Sequence, residues 1–544
     1  MRVDDGALPP VAGAAQPEPG TVARSPWARL REKARWRPGK EHLAVLLLAL
    51  LVLAVHDVRY MLTHPFWTDE AWVAASTLFP LSQLPATTSS TPIGWSVLAR
   101  LLTVHGTQTA RLLPLVFAGA AVVTAYWFAR RIGWRWEPAS VAAGLVAALG
   151  VLLVPAMLVR NDLKQYTAEA FTVLLTLALT ARLERRWSRG GLAALSVSIW
   201  GGMLISHAVA FVGIAALAAL CLVQLARRAW RRLAEAAVAA AGTGVIMLGL
   251  YELFDARASK ALDGSAYWPH FYLPAAQGLH ASAAFVIRHF HEVRAYFGLG
   301  PWWLAVPLVI AGLVTITRLG RPATAIAVAG LWLEMLVLSA LRKYPFLNLR
   351  TSTFLFAVTV VVAAIGLVGV CSLLRRWLPN WAVAGLAALA VAAFAVNAQP
   401  YLRSHTIANE DVRDQALYVA AHAAPGDMIV VNLNSNWGFA YYWPTGRPAR
   451  RADLAVKQEY EAYFPGQPRI IVARDRDPAA INAALSQALA RARHTCARVW
   501  LIRTHMNPSE QAAWAAALSR QGQSSTRVGR YGLRVIRVGG SSCQ

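Results

Sequence analysis

Residues 190–227 read GGLAALSVSIWGGMLISHAVAFVGIAALAALCLVQLAR. The stretch is roughly twice the ~20 residues that cross a bilayer as one helix. Arginines bracket it: Arg182, Arg185, Arg186 and Arg189 before, Arg227, Arg228, Arg231 and Arg232 after. One span would put these two clusters on opposite sides of a membrane. Two spans, with a tight turn at Ser206-His207, return the chain to the side it left. Only the second reading gathers the other basic loops on that same side, as the positive-inside rule requires. Those loops carry Arg130, Arg131 and Arg135, then Arg318 and Arg321, then Arg375 and Arg376.

From this hairpin toward both termini, the pattern predicts eleven membrane-spanning helices. Their windows are 41–62, 110–131, 138–158, 166–184, 191–207, 208–226, 233–253, 302–318, 323–341, 352–373 and 381–398. Residues 1–40 form a basic N-terminus, with seven Lys/Arg against the single acid Glu32 between Arg24 and Lys40. The charge rule puts this end in the cytoplasm of a plasma-membrane protein. No small-residue cleavage site comes after the first apolar run, so it reads as a retained anchor. Opposite the basic loops lie the first outer loop (63–109), the short loop 159–165, the 254–301 and 342–351 segments, and everything after 399. Within the first outer loop, Pro92–Gly106 is apolar but too short to span, and reads as an interfacial helix.

Composition agrees. The 544 residues are 56% hydrophobic and 15% charged, where a soluble chain would carry about 25% charged. The net charge of +25 would suggest nucleic acid in a soluble protein. Here it sits between apolar segments and reports topology. The four cysteines lack metal-ligand spacing, which excludes a zinc ribbon or a disulfide scaffold. From 400 to 544 the pattern changes to short alternating strands and helices. Strands are expected at 428–432, 469–473, 498–502 and 533–538, and helices at 411–423, 478–493 and 508–521. The overall expectation is an α-helical polytopic membrane domain (41–399) followed by an extracytoplasmic α/β domain (400–544), with no nucleotide fingerprint. Cys496 and Cys543 lie in that oxidising compartment, where either a disulfide or two free thiols would fit.

Three outer clusters carry ionisable groups. The first is Phe66-Trp67-Thr68-Asp69-Glu70-Ala71-Trp72. Its bland reading is a helix start, capped by Thr68 or Asp69 with Glu70 on the helix dipole. The second runs from Arg160 to Glu169. Asp162, Tyr166 and Glu169 have the i, i+4, i+7 spacing of one helix face, and Gln165 stands one turn before Glu169. Its bland reading is mutual neutralisation of Arg160 and Lys164 with Asp162 and Glu169. The third is Arg342-Lys343-Tyr344-Pro345-Phe346-Leu347-Asn348-Leu349-Arg350. Cations on the outer side run against the trend, so they read either as contacts to lipid headgroups or as a seat for one lipid phosphate, with Arg350 as its planar fork. His207 is a turn histidine that could face the same vestibule.

Taken together, these motifs resemble the GT-C superfamily of membrane glycosyltransferases, in the branch holding the protein O-mannosyltransferases and the lipid A aminoarabinose transferase. The resemblance covers about residues 40–400. Its acidic first-loop motif is matched by Asp69-Glu70, and its Pro-led interfacial helix by Pro92-Ile93-Gly94-Trp95. The Arg-Leu-Pro start of the second span is matched one residue more loosely by Arg111-Leu112-Leu113-Pro114. Lys164-Gln165-Tyr166 with Glu169, and Tyr344-Pro345-Phe346 with Arg350, complete the series.

The resemblance implies a polyprenyl-phosphate-linked sugar as donor, with an unidentified protein, glycan or lipid as acceptor. The lipid phosphate departs as an anion, and Arg350, Lys343, Lys164, Arg160 and Tyr344 are the candidates to hold it. An acceptor hydroxyl needs a base, for which Asp69 is the choice among the candidate catalytic acids Asp69, Glu70, Asp162 and Glu169. A divalent cation bridged by Asp69 or Glu70 with Glu169 or Asp162 is left open by the resemblance. The alternative is a transporter or flippase of a polyprenyl-linked sugar, which would call for mid-membrane charges or paired broken helices.

Overall fold

The computed structural model describes residues 39–87, 91–159, 162–256, 268–404, 410–451, 461–529 and 532–538. Residues 1–43 and 44–544 form two compact units. Of the first, only residues 39–43 are described, at the opening of the Lys40–Leu50 helix.

Membrane helices dominate the second unit. Seven of the described helices are long and apolar enough to cross a bilayer, or eight if a pair bent by 83° (Leu279–Phe297 with Trp302–Arg318) counts as one. This is fewer than the eleven expected, and the sequence explains the shortfall. The 41–62 window holds Lys40–Leu50, Val52–Val55 and Val58–Thr63 rather than one helix. The chain turns extended at His56, and the Asp57 carboxylate accepts the Tyr60 amide at 2.9 Å, starting a new helix. Arg189–Met203 has only 15 residues. Tyr166–Arg185 is long enough but polar, with Glu169 and a threonine stripe. Thr172, Thr176 and Thr180 donate to carbonyls one turn back at 2.7–2.9 Å, which lets the stripe lie buried.

The Thr353–Leu374 helix is apolar all round and forms the middle of the bundle, buried along most of its length. It meets Trp302–Arg318 backbone to backbone. A Cβ on Gly366 would lie 2.0 Å from the Leu308 carbonyl oxygen, and one on Gly312 would lie 2.1 Å from that of Val362. Only glycine permits this crossing, and close backbone approach is what drives helix association in lipid. Leu112–Arg131 packs between Glu137–Leu153 and Tyr166–Arg185.

After residue 410 the chain builds a five-stranded sheet in the order β4-β1-β5-β7-β6. The strands are β1 (Met428–Val431), β4 (Ile470–Val472), β5 (Arg498–Ile502), β6 (Thr526–Arg527) and β7 (Arg534–Arg537). β1 runs parallel to β4 and β5, and β7 runs antiparallel to β5 and β6. A separate hairpin pairs β2 (Ala449–Arg451) with β3 (Glu461–Tyr463). Alternate residues of β1 face opposite ways. Met428 and Val430 pack with Leu485 and Trp514 of the helices Pro478–Thr495 and Pro508–Arg520. Ile429 and Val431 join a different core, shared with Phe66, Ala71, Trp95 and Trp437. The sheet thus buries its second face on the first outer loop, and β1 is apolar at every position because both faces are covered.

Two tyrosines of the Asn436–Tyr442 helix hold that contact. Tyr442 Oη accepts the Phe66 amide at 2.8 Å and the Gln108 side-chain amide at 2.9 Å. Tyr441 Oη donates to the Val104 and Thr107 carbonyls. Burial pushes the Tyr442 phenol up to about 12 and raises that of Tyr441 as well. Both hydroxyls stay protonated. The helix Ile93–Leu102, at 10 residues too short to cross a bilayer, buries Trp95 and Ala99 and leaves Leu101 and Val97 exposed. Cys496 is disulfide-bonded. Cys543, for which the sequence left a disulfide with Cys496 or a free thiol open, lies outside the described residues, while Cys221 and Cys371 are free.

Candidate active site

The site is organised by the first turn of the Thr68–Ser76 helix, where three consecutive side chains leave in three directions. Thr68 goes to the tail: its amide and its hydroxyl both donate to the Glu410 carboxylate at 2.8 Å. The helix start is therefore capped by the distant Glu410 together with Glu70, which accepts the Trp67 amide at 3.4 Å, and not by Thr68 or Asp69. Glu410 also holds His505 Nδ1 in a short contact.

Glu70, one of the expected catalytic acids, points inward. Its Oε1 accepts Arg111 Nε at 2.7 Å and the Leu163 amide at 2.7 Å. Its Oε2 is ion-paired with Arg111 Nη2. The other Arg111 donors go to the carbonyls of Met61, His64 and Pro65 at 2.7–3.0 Å, and the guanidinium lies 4.7 Å from the Phe66 ring. Every N–H of this fully buried arginine is matched. The Glu70–Arg111 pair ties the first loop, the second span and the 162–165 segment together, and leaves no oxygen for chemistry.

Asp69 points the third way, into an ion pair with Arg350. The Arg350 guanidinium lies 5.0 Å from the Trp67 ring centre, and its Nε donates to Tyr166 Oη at 3.4 Å. Burial lowers the Arg350 pKa to about 10, so the loop holds a cation where water is scarce. Asn348 keeps the loop turned, its side-chain oxygen accepting the Arg350 amide at 3.0 Å.

Glu169 lies buried one turn along the helix from Tyr166, about 4.5 Å of rise. Gln165 donates a side-chain hydrogen bond to it, and His207 is close enough to act on its charge. Its Oε2 is buried with no hydrogen-bond partner among the described residues. The structure thus brings together Asp69, Arg350, Trp67 and Tyr166, with Glu169 and His207 a turn away.

The other expected residues are placed elsewhere. The helix begins only at Tyr166, so Asp162, though buried, lies in a bend before it and does not share the Tyr166–Glu169 face as a helical residue. Lys164 is buried with its ammonium 5.7 Å from the Trp72 ring, which stacks on Trp437 of the tail. The Tyr344 hydroxyl donates to the Thr351 carbonyl at 2.7 Å and braces the Arg350 loop. Lys343 is exposed. Arg160 lies outside the described residues. Trp67 as the shelf under Arg350, and Glu410 with His505, escape the reading of the sequence. The place of Trp67 beside Asp69 is a usable signal, whereas nothing local marks Glu410.

Among the described residues no three His, Cys, Asp or Glu side chains group as metal ligands.

No family model matches the sequence, and no curated protein matches it. Solved structures do match in fold. ArnT of Cupriavidus metallidurans in the apo state aligns over 90% of this chain and 97% of its own, at 15% identity and TM-score 0.54. The apo oligosaccharyltransferase of Archaeoglobus fulgidus aligns over 85% of this chain and 69% of its own, at 12% identity and TM-score 0.52. The archaeal oligosaccharyltransferase AglB from Archaeoglobus fulgidus, in complex with an inhibitory peptide and a dolichol-phosphate, aligns over 86% of this chain and 69% of its own, at 12% identity and TM-score 0.51. The chain shares its fold with these membrane-protein structures.

Proposed function

We propose that this protein transfers a sugar from a polyprenyl-phosphate carrier to an acceptor hydroxyl, at the membrane face that carries Asp69 and Arg350. The observation that carries the reading is their ion pair over Trp67: a carboxylate and a desolvated guanidinium, side by side on two outer loops. In this reading eleven segments cross the membrane, the N-terminus is cytoplasmic, and the sheet domain is extracytoplasmic. The basic loops support that orientation. The dolichol-phosphate held by AglB supports a lipid phosphate as the donor's leaving group.

The donor phosphate takes Arg350 from Asp69, because a phosphate offers the guanidinium fork two oxygens and a greater charge. Asp69 is thereby left free to act as base only when donor is present. The acceptor oxygen attacks the anomeric carbon and its proton passes to Asp69. The bond from the anomeric carbon to the phosphate oxygen breaks, and the lipid phosphate leaves as an anion held by Arg350. Direct displacement inverts the anomeric configuration. No step is routed through a metal.

The test is reconstitution of the purified protein with a panel of radiolabelled polyprenyl-phosphate sugars. Label leaving the lipid for an acceptor supports the proposal. Label that crosses the bilayer still attached to its lipid would make the protein a flippase instead.

A further inference from the structure

The helices Leu112–Arg131 and Tyr166–Arg185 begin at the candidate active site and end, about 30 Å away, at the other end of the bundle. There a cavity of about 300 Å³ opens, lined by Arg130, Arg131 and Arg185 with Trp134 and Ser140. We propose that this cavity binds a phosphate group, as a site separate from the one above.

Charge is the first argument. The cavity's acid, Glu137, is already bonded to Arg130 at 2.6 Å. Glu184, next to Arg185 in sequence, caps a helix: it accepts the Ala323 and Thr324 amides at 2.8 and 2.9 Å and the Thr324 hydroxyl at 2.7 Å. Arg131 and Arg185 have no carboxylate partner among the described residues. Arg182 and Arg130 act on Arg131 alongside Arg185, so cations crowd here.

A second observation is independent of this. Gly133, which also lines the cavity, has φ +115°, and a Cβ there would stand 3.0 Å from Arg321 Nη2. Glycine lets a further guanidinium close on the cavity wall. Arg321 is 8% exposed, and its Nε is buried with no hydrogen-bond partner among the described residues. Burial, with Arg185 and Arg227 nearby, lowers its pKa despite Glu184. A buried donor in a ring of arginines wants an anion. The Ser140 hydroxyl and the Trp134 indole N–H donate to the Arg130 and Ala129 carbonyls at 2.8 Å, so the guanidinium forks are what an anion would meet, and these match a phosphate better than a carboxylate. Basic pockets between helix ends are where phospholipid headgroups seat. A soluble phosphate would use the same contacts.

The experiment uses full-length protein purified in neutral detergent. Native mass spectrometry would read retention of phosphatidylglycerol against phosphatidylcholine, and equilibrium dialysis would read binding of inorganic phosphate. The cavity variant is Arg131→Gln/Arg185→Gln. The charge-matched control, at the same end but outside the cavity, is Arg231→Gln/Arg376→Gln. Selective retention of phosphatidylglycerol, falling roughly tenfold or more in the cavity variant and not in the control, is the expected result. Phosphate binding with the same variant dependence but no selective lipid would also support the site, with a soluble source. Should the Gln pair not fold, Arg131→Lys/Arg185→Lys keeps the charge and loses the fork, and partial retention is expected. Equal losses in cavity variant and control, or no retention of either ligand, would overturn the proposal.

Discussion

Asp69 and Arg350 form an ion pair whose side chains keep 18% and 19% of their surface exposed, whereas Glu70, one residue along the same helix as Asp69, pairs with Arg111 with neither side chain exposed. The difference decides their roles. Opening a fully buried pair leaves bare charges in a medium that cannot solvate them. A partly exposed pair can exchange one partner for an incoming anion. The adjacent acids of one motif thus divide into an openable pair and a fixed one.

If donor phosphate competes with Asp69 for Arg350, Asp69→Asn should bind polyprenyl phosphate at least as tightly as wild type. Its turnover should fall roughly 10²–10⁴-fold, the usual worth of a general base. Parallel measurements of lipid-phosphate binding and sugar transfer check this. Full activity in the variant would remove Asp69 from the mechanism.

Arg350→Ala should lose donor binding and turnover together, by roughly 2–5 kcal/mol for one partner of a desolvated charge pair. Arg350→Lys should recover only part, since an ammonium lacks the fork. Donor titrations of the three proteins give the answer. Complete rescue by lysine would reduce Arg350 to a point charge.

Glu70→Ala should destabilise the fold by about 3–5 kcal/mol, because Arg111 is left buried and unmatched. Glu70→Gln, which keeps an oxygen for the Leu163 amide but loses the charge, should cost less than Glu70→Ala. Thermal unfolding in detergent measures both. A Glu70→Ala protein as stable as wild type would contradict the structural assignment of this pair.

Asp411 caps the Val412–His422 helix by accepting the Asp414 amide at 2.8 Å, and burial raises its pKa to about 6. Its unfolded value is near 3.9. Between these the folded state binds more protons than the unfolded one, so this group lowers stability as pH rises from about 4 to 6. Asp411→Asn keeps the accepting oxygen and removes the titration. The melting temperature of wild type relative to the variant should therefore decline from about pH 4 to about pH 7. A constant difference would show that Asp411 does not titrate in this range.

The membrane helices are legible in the sequence because the apolar windows are long and the arginines mark their ends. The 208–226 and 302–318 windows coincide with the helices Ala208–Ala226 and Trp302–Arg318. β5 occupies the 498–502 run, since β-branched and aromatic residues mark a strand locally. The Asn436–Tyr442 helix and the β2–β3 hairpin are not legible, being short and without periodicity. Of the site, the sequence assigns Asp69 and Arg350 to one face of the membrane, and the structure joins them.

Local spacing marks what a helix or strand will be, and charge along the chain is the signal for which ends share a side. It cannot tell Asp69 from Glu70, because neighbouring residues on a helix point about 100° apart and either could face the cavity. That choice was made by Arg111 and Arg350, each brought in by packing from a different part of the chain. The cap on Thr68 from Glu410, and the second face of the sheet buried on Phe66 and Trp95, likewise exist only once distant segments meet. A side chain's partner is set by the folded neighbourhood, and nothing within a few residues of it encodes that neighbourhood.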